Sequence, residues 1–274
     1  MVVRVIPSEA ERNARAFSSE TIKETSGCVR ADGALVLQDI IDPALIVDAR
    51  QTFLQGYARY LNGQEHDDAL TVGDRRLMIT VRLEHPFDRP ELFANPWLLQ
   101  VLNAVFADDF VLGGYGVVCS LPGAQRQHCH RDGGILFPQS GLDHLLPAAS
   151  VTVAIPLLDM NEIHGTTAIW LGSHRDCDLK AMPTSAKKGE EPVVQEGSCV
   201  LWDYRVAHAG TPNRSTMPRP LLYMTYCRPW FLDNLNYQKQ PMLRVSRRWL
   251  SSLSADNLQL LARATARGLP EIST

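Results

Sequence analysis

The chain changes its hydrophobic rhythm near residue 108. Before that point apolar residues recur at intervals of three and four, the spacing of one helical face. Asp42-Pro43 is a start signal, an N-cap followed by proline at the first helical position. Behind it Ile46, Ala49, Phe53, Tyr57 and Leu61 share one face. Asn95-Pro96 repeats the signal, and Leu98, Val101, Leu102, Val105 and Phe106 form a second apolar face. Residues 8–25 are polar and rich in Glu, Ala and Arg; they predict a surface helix of weak periodicity, followed by a short strand over 34–37. Beyond residue 108, short β-like runs alternate with Gly and Pro turns. They are 110–121, 150–157, 166–171, 198–204 and 221–227, with 77–83 as an earlier addition. A last helix is expected over 254–267, stopped by Gly268 and Pro270.

Many short strands with no regular helices between them argue for a sandwich or barrel and against a doubly wound parallel sheet. The expected fold is therefore mainly β with flanking helices. There is no internal repeat and no long linker, so 1–274 is expected to be a single domain. Helical support would occupy about 1–107, a β core about 108–230 and a helical extension about 231–274.

Composition narrows the functions. The 274 residues are 45% hydrophobic and 21% charged, ordinary for a globular protein with a sizeable core. A formal charge of -3 gives no basic field for nucleic acid. No apolar run approaches the length of a membrane span. Six cysteines show no Cys-x-x-Cys pair and no zinc spacing, which reads as reduced thiols. The N-terminal apolar stretch is too short for a signal peptide. A cytoplasmic setting is expected, with a small-molecule partner and neither nucleic acid nor membrane; oligomeric state is left open.

The chemistry concentrates in two segments. In Gln127-His128-Cys129-His130-Arg131-Asp132, residues 130 and 132 fall on one side of an extended chain, so an imidazole and a carboxylate can meet at one point. His208, on another strand, is the candidate third ligand. Two imidazoles and one carboxylate on one face leave three octahedral positions open, the facial triad of non-haem Fe(II) oxygenases. Arg219 opens the next β-like run, where a guanidinium can hold a carboxylate in a two-pronged contact. His128 shares a face with His130, but His130 is preferred because Asp132 is its i+2 partner. His174 reads as a turn histidine bonding backbone, and His144 and His164 as exposed loop residues. Gly113-Gly114-x-Gly116 lacks a following helix start and is not a dinucleotide loop. Trp170, Trp202 and Trp230 either line a pocket or fill the β core.

Taken in order, these segments resemble a known family. Gln127-x-x-His130-x-Asp132 is followed by Gly165-Thr166-Thr167 and Gly172-Ser173-His174. Then comes Asp203-x-Arg205-x-x-His208-x-Gly210-x-x-Asn213-x-Ser215-x-x-x-Arg219. Over roughly 30–230 the chain resembles the phytanoyl-CoA dioxygenase family of Fe(II)/2-oxoglutarate-dependent oxygenases. The resemblance implies a double-stranded β-helix, or jelly roll. It implies Fe(II) held by His130, Asp132 and His208, with O₂ as co-reactant and Arg219 on the far carboxylate of 2-oxoglutarate. Gln127 and Thr167 would help to seat that cosubstrate. Related halogenases have a small residue in place of the carboxylate, so Asp132 implies oxidation and not halogenation. The implied activity is hydroxylation, desaturation or a related C–H oxidation of a small, apolar metabolite. In it 2-oxoglutarate is converted to succinate and CO₂. The alternatives are a cupin-like Zn or Mn isomerase or hydrolase on the same ligands, an acyl-CoA hydroxylase of the same family, and a non-catalytic jelly-roll binding module.

Overall fold

The computed structural model describes residues 1–137, 140–176, 178, 182–183 and 188–265. Among these described residues ten strands follow in chain order: β1 (Arg4–Val5), β2 (Ala34–Leu37), β3 (Leu70–Thr71), β4 (Arg76–Thr80), β5 (Val111–Ser120), β6 (Ser150–Pro156), β7 (Thr167–Ile169), β8 (Cys199–Asp203), β9 (His208–Gly210) and β10 (Arg219–Cys227). Eight form one sheet in the order β1-β2-β8-β6-β10-β5-β4-β3, and β7 pairs with β9 in a small second sheet. All neighbours are antiparallel except β1 and β2. The small sheet meets one face of the large one: the Trp202 ring on β8 lies 5.1 Å from the His208 ring on β9. This is the expected mainly β, jelly-roll core with helices outside it.

Side-chain alternation sorts the large sheet into two faces. On one face Leu35, Leu37, Val151, Val153, Ile155, Leu201, Leu222, Met224 and Tyr226 join the main core. The helices cover that face, through Ile46, Ala49 and Phe53 of Pro43–Gly56 and Leu98, Val101, Leu102 and Phe106 of Pro96–Phe106. On the other face Ala34, Val36, Ala154, Val200, Trp202, Leu221 and Tyr223 form a second, smaller cluster. The residues bearing the chemistry stand on this second face.

The glycines of β5 explain their own motif. A Cβ on Gly116 would lie 2.6 Å from the Ile79 carbonyl oxygen, and one on Gly114 would lie 2.1 Å from the Tyr237 hydroxyl. They are close-approach glycines within a buried strand.

Several boundaries differ from expectation. Residues 8–25 form parts of two helices, Glu9–Ala14 and Ser19–Ala31. The first ends at Arg15, which is left-handed at φ 54°, and Ser18 caps the second. The Glu11 carboxylate stitches the break, accepting from the Ser8 and Ser18 N–H groups and from the Thr21 hydroxyl. Leu61 lies in a 3₁₀ turn, Ala58–Asn62, past the end of its helix. Strand β4 starts at Arg76 and stops at Thr80, where the Gln240 side chain takes the Thr80 N–H at 2.8 Å. The final helix breaks at Leu261 into Ala255–Leu260 and Ala262–Thr265. Arg267, Gly268 and Pro270 lie outside the described residues.

The Gly172-Ser173-His174 turn docks the small sheet onto the start of β2. Gly172 N–H donates to the Asp32 carbonyl at 2.8 Å, and His174 Nε2 lies 3.1 Å from the Arg30 carbonyl. Gly33 lies beneath it at φ +81°, and a Cβ there would be 2.4 Å from Val206 Cγ2 and 2.5 Å from His174 Nδ1. Left-handed backbone costs an L-residue about 1–2 kcal/mol, and overpacking about 1–3 kcal/mol more. Gly33→Ala should therefore lower stability by about 3 kcal/mol, read as a fall in Tm of roughly 5–10 °C by thermal unfolding. An unchanged Tm would show that this docking contributes little.

Candidate metal centre

A two-way backbone bridge brings the two halves of the site together. His130 N–H donates to the His208 carbonyl at 2.9 Å, and His208 N–H donates back at 2.8 Å. The imidazole centroids are then 4.4 Å apart. Each ring has its Nδ1 tied to the carbonyl two residues earlier, His130 to His128 and His208 to Val206, both at 3.0 Å. A ring that donates from Nδ1 keeps the Nε2 lone pair free, the arrangement seen around metal-binding histidines. Asp132 brings its Oδ1 to 3.3 Å from His208 Nε2. One ligand atom from each of His130, Asp132 and His208 lies within 4.8 Å of the others, a group that could hold a metal ion.

The electrostatics suit a cation. Burial, helped by nearby His208, pushes the His130 imidazole down to about 4, so the ring is neutral at pH 7, as a metal ligand needs to be. Burial opposes charge on His208, but the Asp132 carboxylate beside it prevails and raises it. Burial likewise opposes charge on Asp132, yet the two imidazoles and the Thr152 hydroxyl hold it well below the usual carboxylate range.

Beside this triad the floor of the same cavity is strongly basic. Arg219 on β10 and Arg76 on β4 both stand opposite Ser120 on β5, so the three side chains share one level of the site face. Arg76 is 1% exposed and Arg219 2%. Arg76 donates to Ser120 Oγ at 3.2 Å and to the Thr211 carbonyl at 3.0 Å. The Nε of each arginine is buried without a partner. Among the described residues no carboxylate lies within ion-pair distance of either. Burial pulls Arg76 down to about 9 and Arg219 to about 10, so both stay charged at neutral pH. Two buried, uncompensated guanidiniums call for an anion. Arg76 escaped the sequence reading because the strand was expected to begin one residue later. Its even-numbered alternation with Met78 and Thr80 was the available signal.

The other expected contributors separate. Thr167 lines the cavity, and no hydrogen bond engages its hydroxyl among the described residues. Gln127 also lines it, but its amide is used by backbone at both ends: Oε1 accepts from Gly210 N–H at 2.7 Å, and Nε2 donates to the Val72 carbonyl. It ties the loop before His130 to β9 and to the β3–β4 turn. His128 is exposed at the cavity mouth, 5.4 Å ring to ring from His130. His174 bonds backbone, as expected. His144 and His164 are half-buried instead of exposed, and His164 is held by the Asp159 carbonyl at 3.0 Å. Trp202 is buried at the site, with its Nε1 donating to Asp132 Oδ2 at 3.0 Å. Trp170 is half-buried over Gly189, and Trp230 is 64% exposed.

The whole cavity has a volume of about 370 Å³. Its lining includes the exposed His128 and Leu235 and the half-buried Leu70, Val72 and Asn236, which mark its solvent side.

A jelly roll carrying a His-x-Asp…His cluster and a basic floor defines the class of non-haem iron oxygenases, and comparison with known proteins agrees. The chain belongs to the phytanoyl-CoA dioxygenase (PhyH) family, whose model matches residues 29–221. It is similar to dioxygenase trt7 of Aspergillus terreus, 23% identical over 225 residues that cover 79% of this chain and 77% of the relative. It is also similar to the iron/alpha-ketoglutarate-dependent dioxygenase ausO of Aspergillus calidoustus, 25% identical over 226 residues covering 74% of each. Among solved structures it resembles the epimerase SnoN in complex with Fe3+, alpha ketoglutarate and nogalamycin RO. There the TM-score is 0.56 at 17% identity, covering 83% of this chain and 94% of that one. The protein is an Fe(II)/2-oxoglutarate-dependent enzyme. Among the described residues no helix is long and apolar enough to cross a membrane.

If the triad holds the iron, His130→Ala, Asp132→Ala and His208→Ala should each lower bound iron strongly, because each removes one of three protein ligands. The fold should survive, since none of the three belongs to either apolar cluster. Iron content by elemental analysis, beside circular dichroism of the same samples, checks both statements. A variant retaining full iron would remove that residue from the set.

Proposed function

We propose that His130, Asp132 and His208 hold Fe(II), and that Arg219 and Arg76 bind the far carboxylate of 2-oxoglutarate. The observation that carries this reading is the convergence, in one cavity, of three mutually close ligand atoms with two buried guanidiniums that have no acidic partner among the described residues. Iron with 2-oxoglutarate and O₂ supplies the oxidising step, in which 2-oxoglutarate becomes succinate and CO₂. The chain's own residues do the rest. Arg219 and Arg76 fix one end of the cosubstrate, and Thr167 offers it a free hydroxyl. The protein walls around Trp202, Leu221 and Tyr223 limit access of water to the reacting atoms.

The substrate is a small, largely apolar metabolite bearing at least one hydrogen-bond donor. Leu70, Val72 and Leu235 supply the apolar surface at the mouth. Asn236 supplies a directed polar group. Its Nδ2 faces three acceptors, the Asp132 carbonyl and Asp233 Oδ2 at 2.9 Å each and Tyr204 Oη at 3.3 Å. That pins the amide nitrogen inward and leaves Oδ1 to accept from a ligand. The likeness to the epimerase SnoN from nogalamycin biosynthesis supports secondary metabolism as the setting. An acyl-CoA substrate fits less well: among the described residues, Arg76 and Arg219 on the floor are the cavity's only Lys or Arg lining that could meet phosphates. A Zn or Mn isomerase would leave the two buried guanidiniums unexplained. Because Asn236 reaches back to Asp132, and Gly33 and the 172–174 turn join the first helical segment to the small sheet, we take 1–274 as one working unit.

Breaking a buried charge pair by truncating one partner costs about 3–5 kcal/mol, equivalent to roughly 10²–10³ in affinity. Arg219→Ala should therefore weaken 2-oxoglutarate binding by about that factor while iron binding persists. Arg219→Lys should recover part of it, since the ammonium keeps the charge and loses the planar fork. Arg76→Met should also weaken 2-oxoglutarate without removing iron. Titration of 2-oxoglutarate into anaerobic Fe(II) protein, followed by its metal-to-ligand charge-transfer band, reads each effect. Wild-type affinity in Arg219→Ala would sink its assignment, and a wild-type protein with no such band would sink the function.

A further inference from the structure

Asp132 is held by one of its two carboxylate oxygens before any metal is considered. Its Oδ2 accepts the Thr152 hydroxyl at 2.8 Å and the Trp202 indole N–H at 3.0 Å. A carboxylate oxygen has about two lone-pair sites, so these two donors fill Oδ2. Oδ1 is the oxygen that faces His208 Nε2. Thr152 has a single hydroxyl proton, already given to Asp132, so in its 3.2 Å contact with Tyr223 the tyrosine hydroxyl is the donor. Tyr223 on β10 and Thr152 on β6 thus form a directed chain ending on Asp132 Oδ2, and Trp202 on β8 donates separately to the same oxygen. All three stand on adjacent strands of the large sheet, with Thr152 paired to Trp202 on one side and Thr225, two residues from Tyr223, on the other. Thr152, Trp202 and Tyr223 are 0%, 1% and 8% exposed, respectively.

We propose that Thr152 and Trp202 are positioning residues that keep Asp132 a one-oxygen ligand, with Tyr223 orienting the Thr152 hydroxyl. The reason lies in the count of positions. Two imidazoles and one carboxylate oxygen leave three of six octahedral positions open, two for a chelating keto acid and one for O₂. A carboxylate that rotated and bound through both oxygens would take one of those three. The two donors on Oδ2 oppose that rotation, and being fixed to a sheet they do so without help from a mobile loop. The inference rests on the assignment of iron to the triad.

Thr152→Val keeps the shape and removes the hydroxyl, whereas Thr152→Ser keeps the hydroxyl. Trp202→Phe keeps an aromatic ring and removes the N–H. Loss of such outer partners typically costs 10–100-fold in metal affinity. Anaerobic Fe(II) titration should show Thr152→Val and Trp202→Phe weakened by about tenfold or more, with Thr152→Ser close to wild type. In Thr152→Val the Fe(II)–2-oxoglutarate charge-transfer band should also shift or weaken at saturating iron. A purely structural role predicts instead that iron affinity follows the Tm of the metal-free protein. Thr152→Val with wild-type affinity and an unchanged band would overturn the inference, as would Thr152→Ser falling as far as Thr152→Val. A wild-type protein that binds Fe(II) but gives no band with 2-oxoglutarate would sink the cosubstrate assignment alone, and the affinity comparison would still decide this one. A wild-type protein that binds no Fe(II) overturns both.

Discussion

The reciprocal pair of backbone hydrogen bonds between His130 and His208 governs the rest of the site. Neither histidine stands in a long strand: His208 begins the three-residue β9, and His130 lies in the segment after β5. Joining them as an isolated antiparallel bridge sets the two imidazoles on the same side of a common plane. The neighbouring contacts follow from it. Asp132, two residues on, is turned toward the same point, where its backbone N–H meets the Tyr204 carbonyl at 3.2 Å. Gln127, three residues back, is clamped to Gly210. The segment from 127 to 132 is therefore fastened along β9 and its approach, and the candidate ligand atoms inherit that rigidity.

A second constraint is the division of labour between the faces of the large sheet. The helix-covered face holds most of the apolar volume and needs no partner beyond it. The opposite face can then carry costly groups, because stability comes mainly from elsewhere. Arg76, Ser120, Thr152, Trp202, Arg219 and Tyr223 all stand there, on five different strands. Buried polar groups in such numbers are tolerated where each has a direction to bond or a ligand to meet.

Much of this was legible in the residues, for physical reasons. Helices 43–56 and 96–106 announced themselves through Asp-Pro and Asn-Pro starts and a 3.6-residue apolar rhythm. The strands showed through turn residues and β-branched runs. The His130–Asp132 spacing placed two ligand types on one side without knowledge of the fold. What was hidden depended on tertiary pairing. The break at Arg15 arises because Glu11 can bond residues on both sides of it. Arg76 acquires its meaning only from register, since nothing in its local sequence says that it stands across Ser120 from Arg219. Thr152 and Trp202 are ordinary strand residues until β6 and β8 set them beside Asp132. Asn236 lies more than a hundred residues from the carbonyl it holds.

The two unpaired guanidiniums have a consequence for the life of the protein outside turnover. Placing like charges in a dry interior raises the free energy of the folded chain, and a dianion bound there, as proposed for 2-oxoglutarate, would relieve that cost only in the folded form. By mass action a ligand present at a hundred times its dissociation constant adds about 2.7 kcal/mol to the folding equilibrium. On the proposed assignment of 2-oxoglutarate to Arg76 and Arg219, a keto-acid concentration too low to fill the site would also leave the folded chain without that stabilisation.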